Sequence, residues 1–156
     1  MRKNSGFTAF ELAISLAIMA VIASLILPPY LKWLRGHRLR GAVTNMMADL
    51  EMAKIRAIRE NALIAVQFCQ DRYTIFNENG DTDYVCGTAG REVYRNRKLP
   101  AGVEIDMGNI TFANYRTRFN GRGLPVGITG EQRIPVQNKT SGQEISVNRL
   151  GYMKVQ

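Results

Sequence analysis

Apolar residues run almost unbroken from Phe7 to Leu27, interrupted only by Thr8, Glu11, Ser15 and Ser24. As a helix the run reaches about 30 Å, one hydrocarbon thickness. A secretory signal would close on a small-residue cleavage site after a shorter run. Here Leu25-Ile26-Leu27-Pro28-Pro29 follows instead. A core helix in so short a chain would keep a polar face. The pattern therefore predicts a membrane span. Pro28-Pro29 bends or loosens the helix beyond it, and Gly36 and Gly41 are further weak points. From Ala42 to about Asn61 the pattern turns amphipathic: Val43, Met46, Met47, Leu50, Ala53, Ala57 and Ile58 recur at three- and four-residue steps. That stripe reads as core packing.

After Asn61 the period changes. "ALIAVQF", "RYTIFN", "RIPVQ", "EISVNR" and "YMKV" are short and rich in β-formers, with glycines between them as turns. The predicted fold class is α+β: a long N-terminal helix, spanning in its first half and amphipathic in its second, packed on a C-terminal antiparallel β-rich globular domain.

Charge adds a candidate surface. The 156-residue chain carries a formal charge of +8, which suits acidic partners such as nucleic acid or anionic lipid. From Arg91 onward there are eleven Lys/Arg against five Asp/Glu. They group as Arg91, Arg95, Arg97 and Lys98; then Arg116, Arg118 and Arg122; then Arg149 and Lys154, with Tyr94, Tyr115, Phe119 and Tyr152 interleaved. Cations for phosphate beside aromatics for bases are what DNA binding needs. A solvated basic face, or one matching acidic neighbours, is the alternative. Arg2 and Lys3 favour a cytoplasmic N-terminus, yet Lys32, Arg35, Arg38 and Arg40 crowd the other end of the span, against the positive-inside rule.

No enzyme constellation is visible. The lone His37 sits in a basic stretch, and there is no nucleophile–base set, P-loop or dinucleotide fingerprint. The reading calls for no catalytic residue, cofactor or metal. "NENGDTDY" offers oxygens from Asn77, Glu78, Asn79, Asp81 and Asp83, but it does not fit an EF-hand, and Asn-Gly between strands is first a hairpin turn.

A carboxylate at the head of an apolar helix needs a reason, because burying one unpaired is costly. Gly6-Phe7-Thr8-Ala9-Phe10-Glu11 resembles the type IV prepilin signature. In that family a basic leader ends in Gly, a prepilin peptidase cuts after it, the new N-terminal residue is N-methylated, and a Glu lies four residues further on. The resemblance implies a leader over residues 1–6, cleavage after Gly6, methylation of Phe7, and an assembly role for Glu11 opposite an N-terminal amine in the filament. The commoner Leu-Ile before the Glu is Ala9-Phe10 here, still apolar. A carboxylate that snorkels to the interface is the alternative for Glu11. Residues 7–35 then form the transmembrane and filament-core helix, and 36–156 the periplasmic pilin-like domain. The implied partners are other pilins or pseudopilins, the prepilin peptidase, an inner-membrane assembly platform and membrane lipid. The implied location is the bacterial inner membrane.

Further on, "AKIRAIRENALIAVQF", "YTIFNENGD" and "ITFANYRTRFNGRG" resemble the GspH/FimT-type minor pilins and pseudopilins, though more loosely. Some FimT-like members bind DNA through a basic C-terminal segment. This makes Arg116, Arg118, Arg122, Arg149 and Lys154 the candidates here, although "NRLGYMKV" departs from the usual Gly-Arg-x-Arg text. Cys69 and Cys86 are the two cysteines; one ends a predicted strand and the other follows the next. In a periplasmic domain they read as a disulfide across a hairpin, stabilising by roughly 3 kcal/mol in the chain-entropy model. A zinc site would need more ligands, and a redox pair would more often be Cys-x-x-Cys.

Overall fold

The computed structural model describes residues 8–78, 86, 93–128 and 130–156. The chain divides into two compact units, Met1–Leu34 and Arg35–Gln156. One helix, α1 (Ala9–Glu60), supplies the described part of the first and opens the second. In the first unit residues 8–33 are all exposed, and Phe10, Leu16, Met19, Leu25 and Leu27 stand among the exposed large apolar side chains. This stretch is long and apolar enough to cross a membrane by length and composition. Pro28 and Pro29 lie within α1 and do not end it.

In the second unit α1 becomes a packing element. Leu39, Ala42, Val43, Met46, Leu50, Ala53 and Ala57 are buried at the expected three- and four-residue steps. Asn61 ends the helix in the left-handed region at φ 46°. There Ala62 N–H donates to Ala57 O and Asn61 N–H to Ile58 O, the paired closure of a Schellman cap.

Eight strands follow: β1 (Ile64–Phe68), β2 (Arg72–Asn77), β3 (Val93–Lys98), β4 (Val103–Ile105), β5 (Arg116–Phe119), β6 (Gln132–Asn138), β7 (Gly142–Val147) and β8 (Met153–Val155). They form two antiparallel sheets, ordered β3-β2-β1-β5 and β4-β6-β7-β8. Five of the strands match the predicted runs. The β-rich domain is built from two sheets, and β3, β4 and β5 lie where the sequence reads as loop or basic surface. The expected Asn79-Gly80 turn lies outside the described residues, although β2 and β3 do pair antiparallel.

β1 is central in its sheet and buried along its whole length. Its alternation sends Ile64, Val66 and Phe68 into the main core with α1, Phe119, Ile134 and Ile145. Ala65 faces the other way, with Phe76. Each large aliphatic side chain fully buried there contributes about 1.5–3 kcal/mol.

One polar residue interrupts the buried stripe of α1. Asp49 is 3% exposed. Its Oδ2 accepts from Tyr73 Oη at 2.6 Å, Arg97 Nε lies 2.8 Å from the same oxygen, and Arg95 Nη1 lies 2.7 Å from Oδ1. β3 reaches the helix through a bulge: Ile75 pairs with Arg95 and Phe76 with Val93, so Tyr94 is the extra residue. The bulge lets neighbouring Tyr94 and Arg95 both turn to α1, where the Tyr94 hydroxyl donates to Glu60 and Arg56 sits 4.0 Å from its ring centroid.

Removing Asp49 would strand a buried hydroxyl and two cations, whereas removing the hydroxyl leaves the carboxylate paired. Asp49→Ala should therefore cost about 3 kcal/mol in urea unfolding and Tyr73→Phe about 1 kcal/mol. Burial and the Asp49 carboxylate both raise the Tyr73 pKa. The unfolded chain releases that proton near pH 10. Stability from Tyr73 is thus full below about pH 10 and is lost as pH rises further. The alkaline decline of stability should be shallower in Tyr73→Phe.

Candidate functional site

Gly6 and Phe7 lie outside the described residues. Immediately after them Thr8 and Glu11 form a capping box. Thr8 N–H donates to Glu11 Oε2 at 2.9 Å, Glu11 N–H to Thr8 Oγ1 at 3.3 Å, and the Thr8 hydroxyl to Glu11 Oε2 at 2.9 Å. Thr-x-x-Glu ahead of an apolar run was the signal for this cap, and the prepilin reading of Glu11 passed over it. The carboxylate thus stands at the first turn, where it satisfies the Thr8 backbone N–H and meets the positive end of the helix dipole.

The five basic candidates occupy different environments. Arg116 is not a surface cation. Its side chain is 8% exposed, its Nη1 lies 2.9 Å from Oε1 of Glu78, and its Nε donates to Gln67 Oε1 at 2.9 Å. Glu78 is itself 2% exposed. The Gln67 amide in turn donates to the carbonyls of Asn114 and Tyr115, both held at positive φ. Arg116 therefore neutralises an interior carboxylate and drops out of any phosphate-facing set. Arg118, two residues along β5, lies 3.8 Å from Glu78 and stays partly exposed. Lys154 pairs with Glu131 at 3.3 Å, and the Ser146 hydroxyl, with this ammonium, holds the Glu131 carboxyl below the usual range.

Arg122 and Arg149 are both exposed, on turns that touch at the end of the unit where α1 stops. Asn120 Oδ1 accepts from the Arg122 and Leu124 N–H groups, and Asn148 Oδ1 from those of Leu150 and Tyr152. Lys54 Nζ ties the second turn to the helix by donating to Gly151 O at 2.9 Å. A Cβ on Gly151, at φ +71°, would stand 2.9 Å from the Gly123 carbonyl, so the approach of the two turns requires glycine. Leu150 and Tyr152, on either side of Gly151, are exposed.

Cys69 and Cys86 are joined, with Cα atoms 5.9 Å apart. The geometry corrects the hairpin picture. Cys69 sits in the β1–β2 turn, its N–H donating to Arg72 O, while β2 leaves this end of the sheet and finishes at Asn77. The bridge ties Cys86 to that turn, and Cys86 Sγ lies 3.3 Å from the Phe68 carbonyl oxygen. Among the described residues no cluster of three or more His, Cys, Asp or Glu is placed to hold a metal ion.

A long apolar helix leading into a head of two antiparallel sheets is the architecture of pilin-like filament subunits. The family model described as Type II transport protein GspH matches residues 42–151, and the chain belongs to that family, a GspH/FimT-type minor pilin or pseudopilin. No curated protein matches the chain at comparable significance. Crystal structures of the type IV minor pilin FimU of Pseudomonas aeruginosa in two crystal forms are 15% identical, with TM-scores of 0.57 and 0.59. The alignments cover 76% and 77% of this chain and 92% and 89% of those. The minor pseudopilin EpsH from the type 2 secretion system of Vibrio cholerae is 11% identical at a TM-score of 0.57, over 76% of this chain and 96% of that one. At these identities the likeness is one of fold.

The interior role of Arg116 has a measurable consequence. Glu78→Ala leaves a guanidinium buried without a counter-charge and should cost about 3–5 kcal/mol in chemical denaturation. Arg122→Ala, on an exposed turn, should stay within about 0.5 kcal/mol of the parent.

Proposed function

We propose that the chain is made as a prepilin, cut after Gly6 by a prepilin peptidase and N-methylated on Phe7. Residues 7–35 anchor it in the bacterial inner membrane, and 36–156 face the periplasm. From there it joins other pilins or pseudopilins, through an inner-membrane assembly platform, in starting or building a type IV pilus or a type II secretion pseudopilus. The observation that carries this reading is a helix exposing apolar side chains on every side from residue 8 to 33, which water alone cannot accommodate. A bilayer or a bundle of like helices can, and the Gly6-Phe7 and Glu11 positions precede it in the order the prepilin resemblance requires. Its work is helix packing; nothing in the proposal asks it to be an enzyme.

In the mature chain the new α-amino group would lie one turn from Glu11, so a charge pair with its own or a neighbour's amine would lower the cost of desolvating both. The capping box provides a way to separate the two roles of this carboxylate, because glutamine retains the cap and loses the charge. Intact-mass measurement in the presence of a prepilin peptidase should show loss of Met1–Gly6 from parent, Glu11→Gln and Glu11→Ala alike. Incorporation into filaments, read by immunoblot of sheared fractions, should fall at least tenfold for both variants. An uncut N-terminus would overturn the prepilin reading. Normal incorporation of Glu11→Gln would assign Glu11 to the cap alone.

The alternative, a DNA-binding minor pilin acting in DNA uptake, draws support from the placement of exposed Arg122 and Arg149 on adjoining turns. Duplex DNA binding by residues 35–156 should then be independent of sequence and weaken steeply with salt. Replacing Arg122 and Arg149 together should reduce the log–log salt slope by about two, and Arg116 should carry no share of it. Absence of binding at low salt would remove this alternative.

A further inference from the structure

The basic residues that follow the apolar run have no place in the functions above. Arg35, Arg38 and Arg40 are exposed on α1 at the start of the globular unit, with exposed His37 between them. The fold adds a fourth cation from far along the chain. Asn138 Nδ2 donates to the Arg35 carbonyl at 3.0 Å, 103 residues away in sequence, and so docks the β6–β7 turn against this end of the helix. Lys139, exposed in that turn, joins the group. None of the four makes an ion pair among the described residues. The sequence offers them little: no Asp or Glu occurs between Glu11 and Asp49, and Asp49 is taken by Arg95 and Arg97.

Two features identify the partner. The first is distance along the chain. Arg35 follows Leu27, the last residue of the apolar run, by eight positions. On a helix that is about 12 Å. The headgroup layer on one side of a bilayer is about 5–8 Å deep, and an arginine reaches several ångströms back along its own stem. The second is direction. At about 100° per residue, Arg35 and Arg38 share one side of the helix and Arg40 points about 140° away from Arg35, so the charge covers two sides. A docking face for one neighbouring subunit would collect charge on one side, whereas a surface crossed by the helix needs charge around it. Tyr30 and Trp33, exposed near the end of the first unit with ring centroids 6.1 Å apart, are residues that favour the membrane–water interface.

We propose that Arg35, Arg38, Arg40 and Lys139 form a collar that binds the phosphates of anionic phospholipid headgroups on the side of the membrane where the globular unit lies. The inference rests on the membrane-anchored reading above and adds to it a lipid class and the residues that select it. Cations on the far side of a span oppose the usual topological charge bias. Phosphodiester contact offsets that disadvantage and holds the subunit at the bilayer surface until filament neighbours replace the lipid.

The chain has a single tryptophan, Trp33, two positions before Arg35, and it serves as a local reporter. The full chain is reconstituted into bilayers containing brominated phosphatidylglycerol or brominated phosphatidylcholine, and quenching of Trp33 fluorescence gives the relative affinity for the two lipids. A cation near a charged bilayer surface contributes a factor of about five, so phosphatidylglycerol should be favoured at least fivefold at low salt. The preference should shrink as salt rises. Arg35→Gln/Arg38→Gln/Arg40→Gln, which leaves Lys139 in place, should lower the ratio severalfold, while Arg122→Gln leaves it unchanged. Resistance to alkaline extraction reports anchoring separately. A chain that extracts overturns the anchored reading and the collar with it. A chain that stays inserted with a ratio near one overturns the collar alone. A ratio near one combined with loss of the triple variant from filaments assigns the cations to an acidic subunit surface instead. Circular dichroism and unfolding of the triple variant exclude misfolding as the cause of any loss.

Discussion

The globular unit depends on a carboxylate that cannot be buried alone. Asp49 lies in the middle of the buried face of α1, flanked by Met46, Leu50 and Ala53. A charge there is tolerated only with partners close and well oriented. Satisfying it fixes three other parts of the fold. Tyr73 must bring β2 across the helix, and Arg95 and Arg97 must bring β3 to the same point. The bulge at Tyr94 then follows, because an edge strand that has to aim adjacent residues at one helix cannot keep strict alternation. Hydrophobic burial supplies most of the stabilisation of this core, and the polar cluster sets the register in which it closes.

The same electrostatics explains what the sequence showed and what it hid. The exposed apolar helix, the amphipathic stripe from Leu39 to Ala57 and five of the strands follow from periodicity and β-propensity. Those are local properties and can be read residue by residue. β3 and β5 could not be read that way. "VYRNRK" and "RTRF" look like solvated basic surface. They become strands because carboxylates distant in sequence, Asp49 for β3 and Glu78 for β5, neutralise their arginines in space. Alternation was present in both segments: in β3 Arg95 and Arg97 turn to Asp49, and in β5 Thr117 and Phe119 are buried while Arg116 and Arg118 take the face that meets Glu78. An inward arginine is legible only when its acidic partner is known, and nothing local announces a partner 38 or 46 residues away.

The candidate site divides along the same line. Glu11 was visible as an anomaly of composition, and the prepilin resemblance gave it a partner, yet the capping box with Thr8 was equally open in the text. Of the basic candidates, Arg122 and Arg149 were read in separate groups and are brought to adjoining turns by Gly151 and Lys54. The "FNGRG" text quoted for the family likeness proves to be architectural. Phe119 is fully buried, Asn120 closes the turn, and a Cβ on Gly123 would meet Ile58 at 2.7 Å. The cysteine pairing was legible, while the seat of Cys86 beside the β1–β2 turn was not, because no local pattern announces which turn a cysteine 17 residues away will meet.

That bridge also shortens a search. Arg95 must find Asp49 across 46 residues of chain, and the closing of such a loop is an entropic step that slows folding. Joining Cys69 to Cys86 removes a stretch of 17 residues from the path between them. In a chain that emerges N-terminus first, both cysteines are out before β3 is complete. An early bond would leave Arg95 only nine positions from a covalent anchor beside β1. β3, an edge strand of the first sheet, would then add by short-range closure, and the rate of disulfide formation would set the pace of that step.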